Sequence, residues 1–303
     1  MRRSMSSKQW GRALLLAAGM ALAIPGSPWA AGGAPSRVTL EVDDSRPALR
    51  SEAFLLADQA TGQVLLERNA DEVVPIASIT KLMTAMVVLD ASQGLSDVLR
   101  VARDDVDTLR GSRSRLPVGA RLSREDMLQL ALMSSENRAA SALARYYPGG
   151  TAGFIEAMNV KARLLGLEDT RFVEPTGLSA RNVSSARDLA RLVSAAARYP
   201  LIRAFSTAES YEVNINGRSR RFGNTNGLVK SPDWRIGVSK TGYIREAGRC
   251  LVMQAWIMDR PMIVVLLDSF GKYTRTADAR RIKRWIESGA VHQQASIPRD
   301  RSG

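Results

Sequence analysis

Strand-like segments lie near both ends of this chain with a long helical stretch between them, and that order narrows the folds open to it. Residues 53–57 and 63–67 are short apolar runs around Ala60-Thr61-Gly62, the pattern of a β-hairpin. Three further strand-like runs follow much later, at 235–243, 248–258 and 261–270, joined by short turns. The intervening sequence predicts helices over 78–90, 123–133, 137–146, 153–165 and 185–199, the last stopped by Pro200. Ser123-Arg-Glu-Asp126 has the form of a capping box for the second of these. A final amphipathic helix is expected over 276–286. Short turns between consecutive strands imply antiparallel pairing. The expected fold is therefore α+β: an antiparallel five-stranded sheet flanked by helices, with residues 99–200 forming a mainly helical lobe. A cleft between lobe and sheet is the natural place for a site.

Composition supports a packed domain, with 45% hydrophobic and 24% charged residues. The formal charge is +13, and four of the positives (Arg2, Arg3, Lys8, Arg12) sit in an acid-free leader, leaving +9 for the rest. These charges are scattered among acids, and no zinc-finger or RNA-recognition signature accompanies them, so nucleic acid is not an expected partner. The leader continues with an apolar run over 13–24 and small residues to Ala30-Ala31, the parts of a secretory signal peptide. That run is shorter than the about 20 residues a membrane span requires. The expected layout is a signal peptide at 1–31, a flexible lead-in at 32–50, a catalytic domain at 51–288 and a tail at 289–303. The processed protein would be exported to the periplasm with no stable membrane anchor. The lone Cys250 excludes an internal disulfide and a cysteine-ligated metal cluster. The lone His292 falls in the tail, which removes the usual general base of serine hydrolases.

Three short motifs carry the chemistry. Ser78-Ile-Thr-Lys81 opens a predicted helix, so residues three apart share one face and the Lys81 amine can approach the Ser78 hydroxyl. A serine alcohol needs a base to take its proton, and a lysine serves only where burial or neighbouring charge lowers its pKa. Ser135-Glu136-Asn137 falls at the junction of two predicted helices, where a hydroxyl and an amide can relay a proton and hold a carbonyl. Lys240-Thr241-Gly242 lies within a predicted strand, whose glycine permits a close approach of another backbone. Each motif alone reads as ordinary structure: a helix cap, a helix junction, a strand. Together, in this order and on these elements, they match the joint serine–lysine, serine–x–asparagine and lysine–threonine–glycine signature of penicillin-binding proteins and class A β-lactamases.

The chain resembles the low-molecular-mass penicillin-binding proteins, the D-alanyl-D-alanine carboxypeptidases and endopeptidases. The resemblance runs over about residues 53–286 and includes 75–85, 130–140, Thr170-Arg-Phe-Val-Glu-Pro-Thr-Gly-Leu178 and Asn224-Thr-Asn226. It implies that Ser78 attacks a D-alanyl carbonyl to form an acyl-enzyme, with Lys81 accepting its proton. Ser135 with Lys240 would return a proton to the leaving amine, and Asn137 would orient the acyl amide. Lys240 and Thr241 would bind the carboxylate side of the substrate, while the N–H groups of Ser78 and Tyr243 would form the oxyanion hole. The sequence by itself leaves the general base open between Lys81 and a relay through water or Lys240.

The implied substrates are peptidoglycan stem peptides and the implied covalent inhibitors β-lactams, with no cofactor or metal and a monomeric protein. Carboxypeptidases of this family continue into a second β-rich domain and an amphipathic anchor, whereas 17 residues follow Ile286 here. The endopeptidase, which cuts D-alanyl-diaminopimelyl cross-links, is therefore the expected activity, and the pentapeptide-trimming carboxypeptidase the alternative. Tyr243 stands where many carboxypeptidases have histidine. A β-lactamase would require a glutamate placed to activate the deacylating water; Glu174 lies in the right region with the wrong spacing and is read as loop-forming. A non-catalytic muropeptide sensor is disfavoured by the intact Ser78 and Lys81.

Overall fold

The computed structural model describes residues 39–42 and 46–294, so the leader expected at 1–31 lies outside the described residues. Five strands build one antiparallel sheet: β1 (Ser51–Asp58), β2 (Val64–Arg68), β3 (Arg235–Ile244), β4 (Gly248–Ile257) and β5 (Arg260–Ser269). Their spatial order is β3-β4-β5-β1-β2. The N-terminal hairpin thus adds to the last strand, with Leu55 opposite Val265, and everything between β2 and β3 is an insertion. This leaves β3, with Lys240-Thr241-Gly242, at an edge of the sheet. An edge strand presents unpaired backbone groups to which an extended peptide can add.

Side-chain alternation divides the sheet between two cores. Leu55, Val252, Ile263 and Val265 face the helical lobe, while Leu56, Met253, Val264 and Leu266 face the other way. The second core is closed by Ala279, Ile282 and Trp285 of the last helix. Burial of both faces explains why β4 and β5 read as unbroken apolar runs rather than alternating ones.

The helices are α1 (Thr80–Asp90), α2 (Arg124–Met133), α3 (Asn137–Arg145), α4 (Gly150–Leu164), α5 (Ala186–Ala196), α6 (Pro200–Thr207) and α7 (Thr274–Trp285). The predicted capping box is present: Ser123 Oγ accepts from Asp126 N at 3.0 Å, and Asp126 Oδ2 accepts from Ser123 N at 3.1 Å. Residues Thr80 to Val88 of α1 are all buried, which makes α1 the central post of the lobe rather than an amphipathic surface helix.

Three features differ from the sequence expectation. Pro200 does not simply stop a helix; it opens α6 at the first helical position, where its fixed φ suits a start and its missing N–H costs nothing. Ser210–Ile215 and Arg218–Gly223 pair as a hairpin through Asn216-Gly217, both with positive φ (53° and 81°), the backbone that tight hairpin turns demand. Finally, Thr39–Val42 and Val291–Gln294, in the segments expected as lead-in and tail, pair antiparallel with each other. No helix among the described residues is long and apolar enough to cross a membrane.

Candidate active site

Ser78 lies in a 3-10 turn, Ala77–Ile79, that runs directly into α1. Ala77 adopts φ +47°, a left-handed conformation that a residue with a Cβ takes up only when its surroundings impose it. Two glycines impose it. A Cβ on Gly177 would sit 1.9 Å from the Ala77 carbonyl oxygen. One on Gly242 would lie 3.0 Å from the Ile76 carbonyl oxygen and 3.1 Å from Ser78 N. The bare backbones of the 174–178 loop and of β3 therefore close on the serine turn from two directions.

One turn along α1, Lys81 is fully buried. Its Nζ lies 2.9 Å from Ser78 Oγ, 2.7 Å from Asn137 Oδ1 and 2.5 Å from the Thr176 carbonyl oxygen. Burial lowers its pKa to about 8, against the opposing pull of the Glu174 and Glu136 carboxylates. A neutral amine has two N–H donors and one lone pair. In that form the two donors would match the two pure acceptors, Asn137 Oδ1 and Thr176 O, and the lone pair would be free to face the Ser78 hydroxyl; the ammonium form donates to all three oxygens.

A second serine–lysine pair stands beside the first. Ser135, at φ +61° in the turn between α2 and α3, has its Oγ 2.9 Å from Lys240 Nζ on β3. Lys240 also donates to the Thr241 carbonyl at 3.0 Å. Burial, then the charges of Lys81 and Arg275, push the Lys240 ammonium well below its ordinary pKa. Thr241 Oγ1 donates to Thr225 Oγ1 at 2.7 Å, and Thr225 N is tied to the Met133 carbonyl at 3.1 Å at the end of α2. Asn137 is steadied from behind by its Nδ2 donating to Ser112 Oγ at 3.0 Å.

Of the eight residues the sequence singles out, the structure brings the side chains of Ser78, Lys81, Ser135, Asn137 and Lys240 together in two linked pairs, with the Gly242 backbone against Ser78. Thr241 joins them through Thr225. The Tyr243 side chain does not join them: its ring is 57% exposed, with the Arg249 guanidinium 4.6 Å from its centroid. Sequence reasoning assigned no role to Thr176, Gly177, Ser112 or Thr225, although three of these lie in or beside segments it had noted. A main-chain acceptor such as Thr176 O leaves no residue-type signature.

Glu174 is occupied structurally. Its carboxylate accepts from the N–H groups of Thr176 (2.7 Å) and Gly177 (2.6 Å) and from Asn182 Nδ2 (3.0 Å). It shapes the loop that delivers the Thr176 carbonyl to Lys81, leaving it poorly placed to activate a water. Among the described residues no three His, Cys, Asp or Glu side chains converge in a metal-holding group. A separate groove of about 380 Å³ lies between α1 and α4, lined by Val87, Tyr147 and Val160, away from Ser78.

A serine 2.9 Å from a buried lysine at the start of a helix, beside a second serine–lysine pair reaching from the edge strand, matches the serine hydrolases of the penicillin-binding class. The chain belongs to the D-alanyl-D-alanine carboxypeptidase family of serine peptidases, which matches residues 41–271. It is similar to the D-alanyl-D-alanine endopeptidase of Pseudomonas aeruginosa, with 50% identity over 280 residues, 92% of this chain and 87% of that protein. The D-alanyl-D-alanine endopeptidase of Escherichia coli K12 is 46% identical over 92% of this chain and 90% of its own length. Among solved structures, the Streptomyces K15 DD-transpeptidase aligns with a TM-score of 0.75 at 28% identity, over 80% of this chain and 99% of that one.

Proposed function

We propose that this protein is a periplasmic DD-endopeptidase that hydrolyses D-alanyl-diaminopimelyl cross-links of peptidoglycan through an acyl-enzyme on Ser78. The observation that carries the reading is the fully buried Lys81 Nζ standing 2.9 Å from the Ser78 hydroxyl oxygen, with burial lowering the ammonium pKa to about 8 so that the amine can accept the serine proton once it is neutral. Residues 1–31 direct export and are removed, and 51–288 act as a monomeric catalytic domain. Similarity to two proteins named D-alanyl-D-alanine endopeptidases, over about nine-tenths of the chain, supports the endopeptidase over the carboxypeptidase.

In the reaction, Ser78 Oγ bonds to the D-alanyl carbonyl carbon while its proton passes to Lys81 Nζ. The oxyanion is held by the N–H groups of Ser78 and Tyr243, each such donor contributing about 3 kcal/mol of transition-state stabilisation. Collapse breaks the C–N bond, and the leaving amine takes a proton relayed through Ser135 and Lys240. Asn137 orients the acyl amide, and Lys240 and Thr241 receive the carboxylate side of the substrate, which adds along the free edge of β3. Water then attacks the ester, releasing a carboxylate and restoring Ser78. A β-lactam acylates Ser78 in the same way but is released slowly.

The test is turnover of purified cross-linked muropeptide dimers and of monomeric pentapeptide, followed by mass spectrometry with a Ser78→Ala control. Ser78-dependent conversion of dimers to monomers with little release of terminal D-alanine is the expected result. Release of D-alanine from pentapeptide alone would move the assignment to carboxypeptidase.

A further inference from the structure

Two residues behind Asn137 decide which way round its amide points. The oxygen and nitrogen ends of an asparagine amide are nearly the same size, so its hydrogen-bond partners, not its shape, choose between two opposite orientations. Here Oδ1 faces Lys81 Nζ at 2.7 Å and Nδ2 faces Ser112 Oγ at 3.0 Å. Lys81 does not enforce this choice in both of its forms. Its ammonium is only a donor, but the neutral amine also carries a lone pair, which could receive a proton from Nδ2. A serine hydroxyl, taken alone, is equally ambiguous.

Asp107 removes the ambiguity. Its Oδ1 accepts from Leu109 N at 2.9 Å and Arg110 N at 3.0 Å, and its Oδ2 from Ser112 N at 2.8 Å. The 107–112 loop is thereby wrapped around the carboxylate, to which the Ser112 hydroxyl is also hydrogen-bonded. Burial pushes the Asp107 carboxyl up, but the Ser112 hydroxyl and the three N–H groups outweigh it and hold the group below the usual carboxylate range. An ionised carboxylate only accepts. The Ser112 hydroxyl proton is therefore committed to Asp107, and its oxygen meets Asn137 as an acceptor. Arg110 ties the loop down on its other side: Nε donates to the Leu178 carbonyl, and Nη2 pairs with Glu246, just beyond β3, at 2.8 Å.

We propose that Asp107 and Ser112 are positioning residues for acylation, acting through Asn137 to keep its Oδ1 on Lys81. This deepens the reading of Ser78 as nucleophile and Lys81 as its base, and rests on it. With Oδ1 fixed, a neutral Lys81 amine donates to Asn137 and to the Thr176 carbonyl, and its lone pair is left for Ser78. The second Nδ2 proton remains for the acyl amide carbonyl. With the amide reversed, Nδ2 takes the lone pair instead, and both services are lost together.

The test follows penicillin acylation against pH in the wild type, Ser112→Ala, Ser112→Thr and Asp107→Asn, with circular dichroism to verify folding. A carbon-13 NMR titration of the Lys81 side chain runs beside it and needs no turnover. The charged groups near Lys81 are Glu174 on its loop, Glu136 at the head of α3 and Lys240 on β3, and no substitution touches them. A reversed amide favours the neutral amine. Ser112→Ala is therefore expected to bring the Lys81 midpoint about one pH unit below its value near 8 and to slow acylation about tenfold on the plateau above it. Asp107→Asn, which offers Ser112 an amide donor in place of a carboxylate, should move the midpoint the same way. Ser112→Thr, which keeps the hydroxyl, should hold the wild-type midpoint. A loss of packing alone would slow acylation without moving it. An unmoved midpoint in Ser112→Ala, or a Ser112→Thr variant shifted as far as Ser112→Ala, overturns the proposal. Wild-type acylation at Ser78 is read separately: its absence would sink the nucleophile reading, while the NMR midpoints still decide this one.

Discussion

A Lys81→Met variant is expected to be acylated by a β-lactam about 10²–10⁴-fold more slowly than the wild type, with no loss of stability. The rate loss is the usual contribution of a positioned general base. The stability follows from burial. Lys81 titrates at about 8 in the fold against 10.5 ordinarily, so the folded state disfavours its ammonium. Each pKa unit corresponds to about 1.36 kcal/mol, and the gap amounts to about 3 kcal/mol of destabilisation at neutral pH. Between pH 8 and 10.5 the unfolded chain holds the proton that the folded chain has released, so this cost fades as pH rises through that window. Methionine removes the cost, at the expense of leaving Asn137 Oδ1 and Thr176 O without their donor, about 1 kcal/mol each. Thermal melts should therefore show a variant at least as stable as the wild type at pH 7, lacking the wild type's gain between pH 8 and 10. Acylation within tenfold of the wild type at pH 7.5 would remove Lys81 from the proton path.

The second large effect belongs to a residue that touches no substrate. Gly177→Ala should destabilise the protein by about 3–5 kcal/mol and, in the fraction that folds, slow acylation about 100-fold. Gly177 sits at φ +82°, and its added Cβ would meet the Ala77 carbonyl oxygen at 1.9 Å, a backbone atom that no rotamer change can move. Relief requires the 174–178 loop to retreat. The Thr176 carbonyl would leave Lys81, and the strained Ala77 step would lose one of the surfaces that hold it. Gly166→Ala isolates the backbone contribution, since Gly166 has φ +67° with nothing within 4 Å of the built Cβ. That variant should lose about 1 kcal/mol and keep its activity. Chemical denaturation and acylation rates on both variants decide the matter; equal effects would mean that packing on Ala77 is unimportant.

The contrast between these two glycines shows what the sequence could and could not convey. The sheet was legible because β4 and β5 are long apolar runs with short turns. The Ser78–Lys81 contact was legible because residues three apart on a helix must share a face. The capping box at Ser123 was legible for the same local reason. Pro200 misled because one residue type both ends and begins helices, and only the position of the next apolar face decides between them. The hairpin around Asn216-Gly217 carried a usable turn signal, but its arginine-rich second strand masked the alternation. The Thr176 carbonyl and the squeeze of Gly177 and Gly242 on Ala77 are long-range backbone contacts, and no local pattern encodes them. Tyr243 illustrates the opposite limit: it directly follows a motif whose residues meet at the site, yet its own ring faces solvent.

The most direct test of the account is to expose the purified protein briefly to a penicillin across pH 6–9 and locate the adduct by mass spectrometry. The account predicts a single adduct with the mass of the whole β-lactam, on the peptide containing Ser78 and absent from Ser78→Ala. Its rate of formation should rise through a pKa near 8 as Lys81 loses its proton. An adduct that persists in Ser78→Ala, or a rate flat across that range, would contradict it.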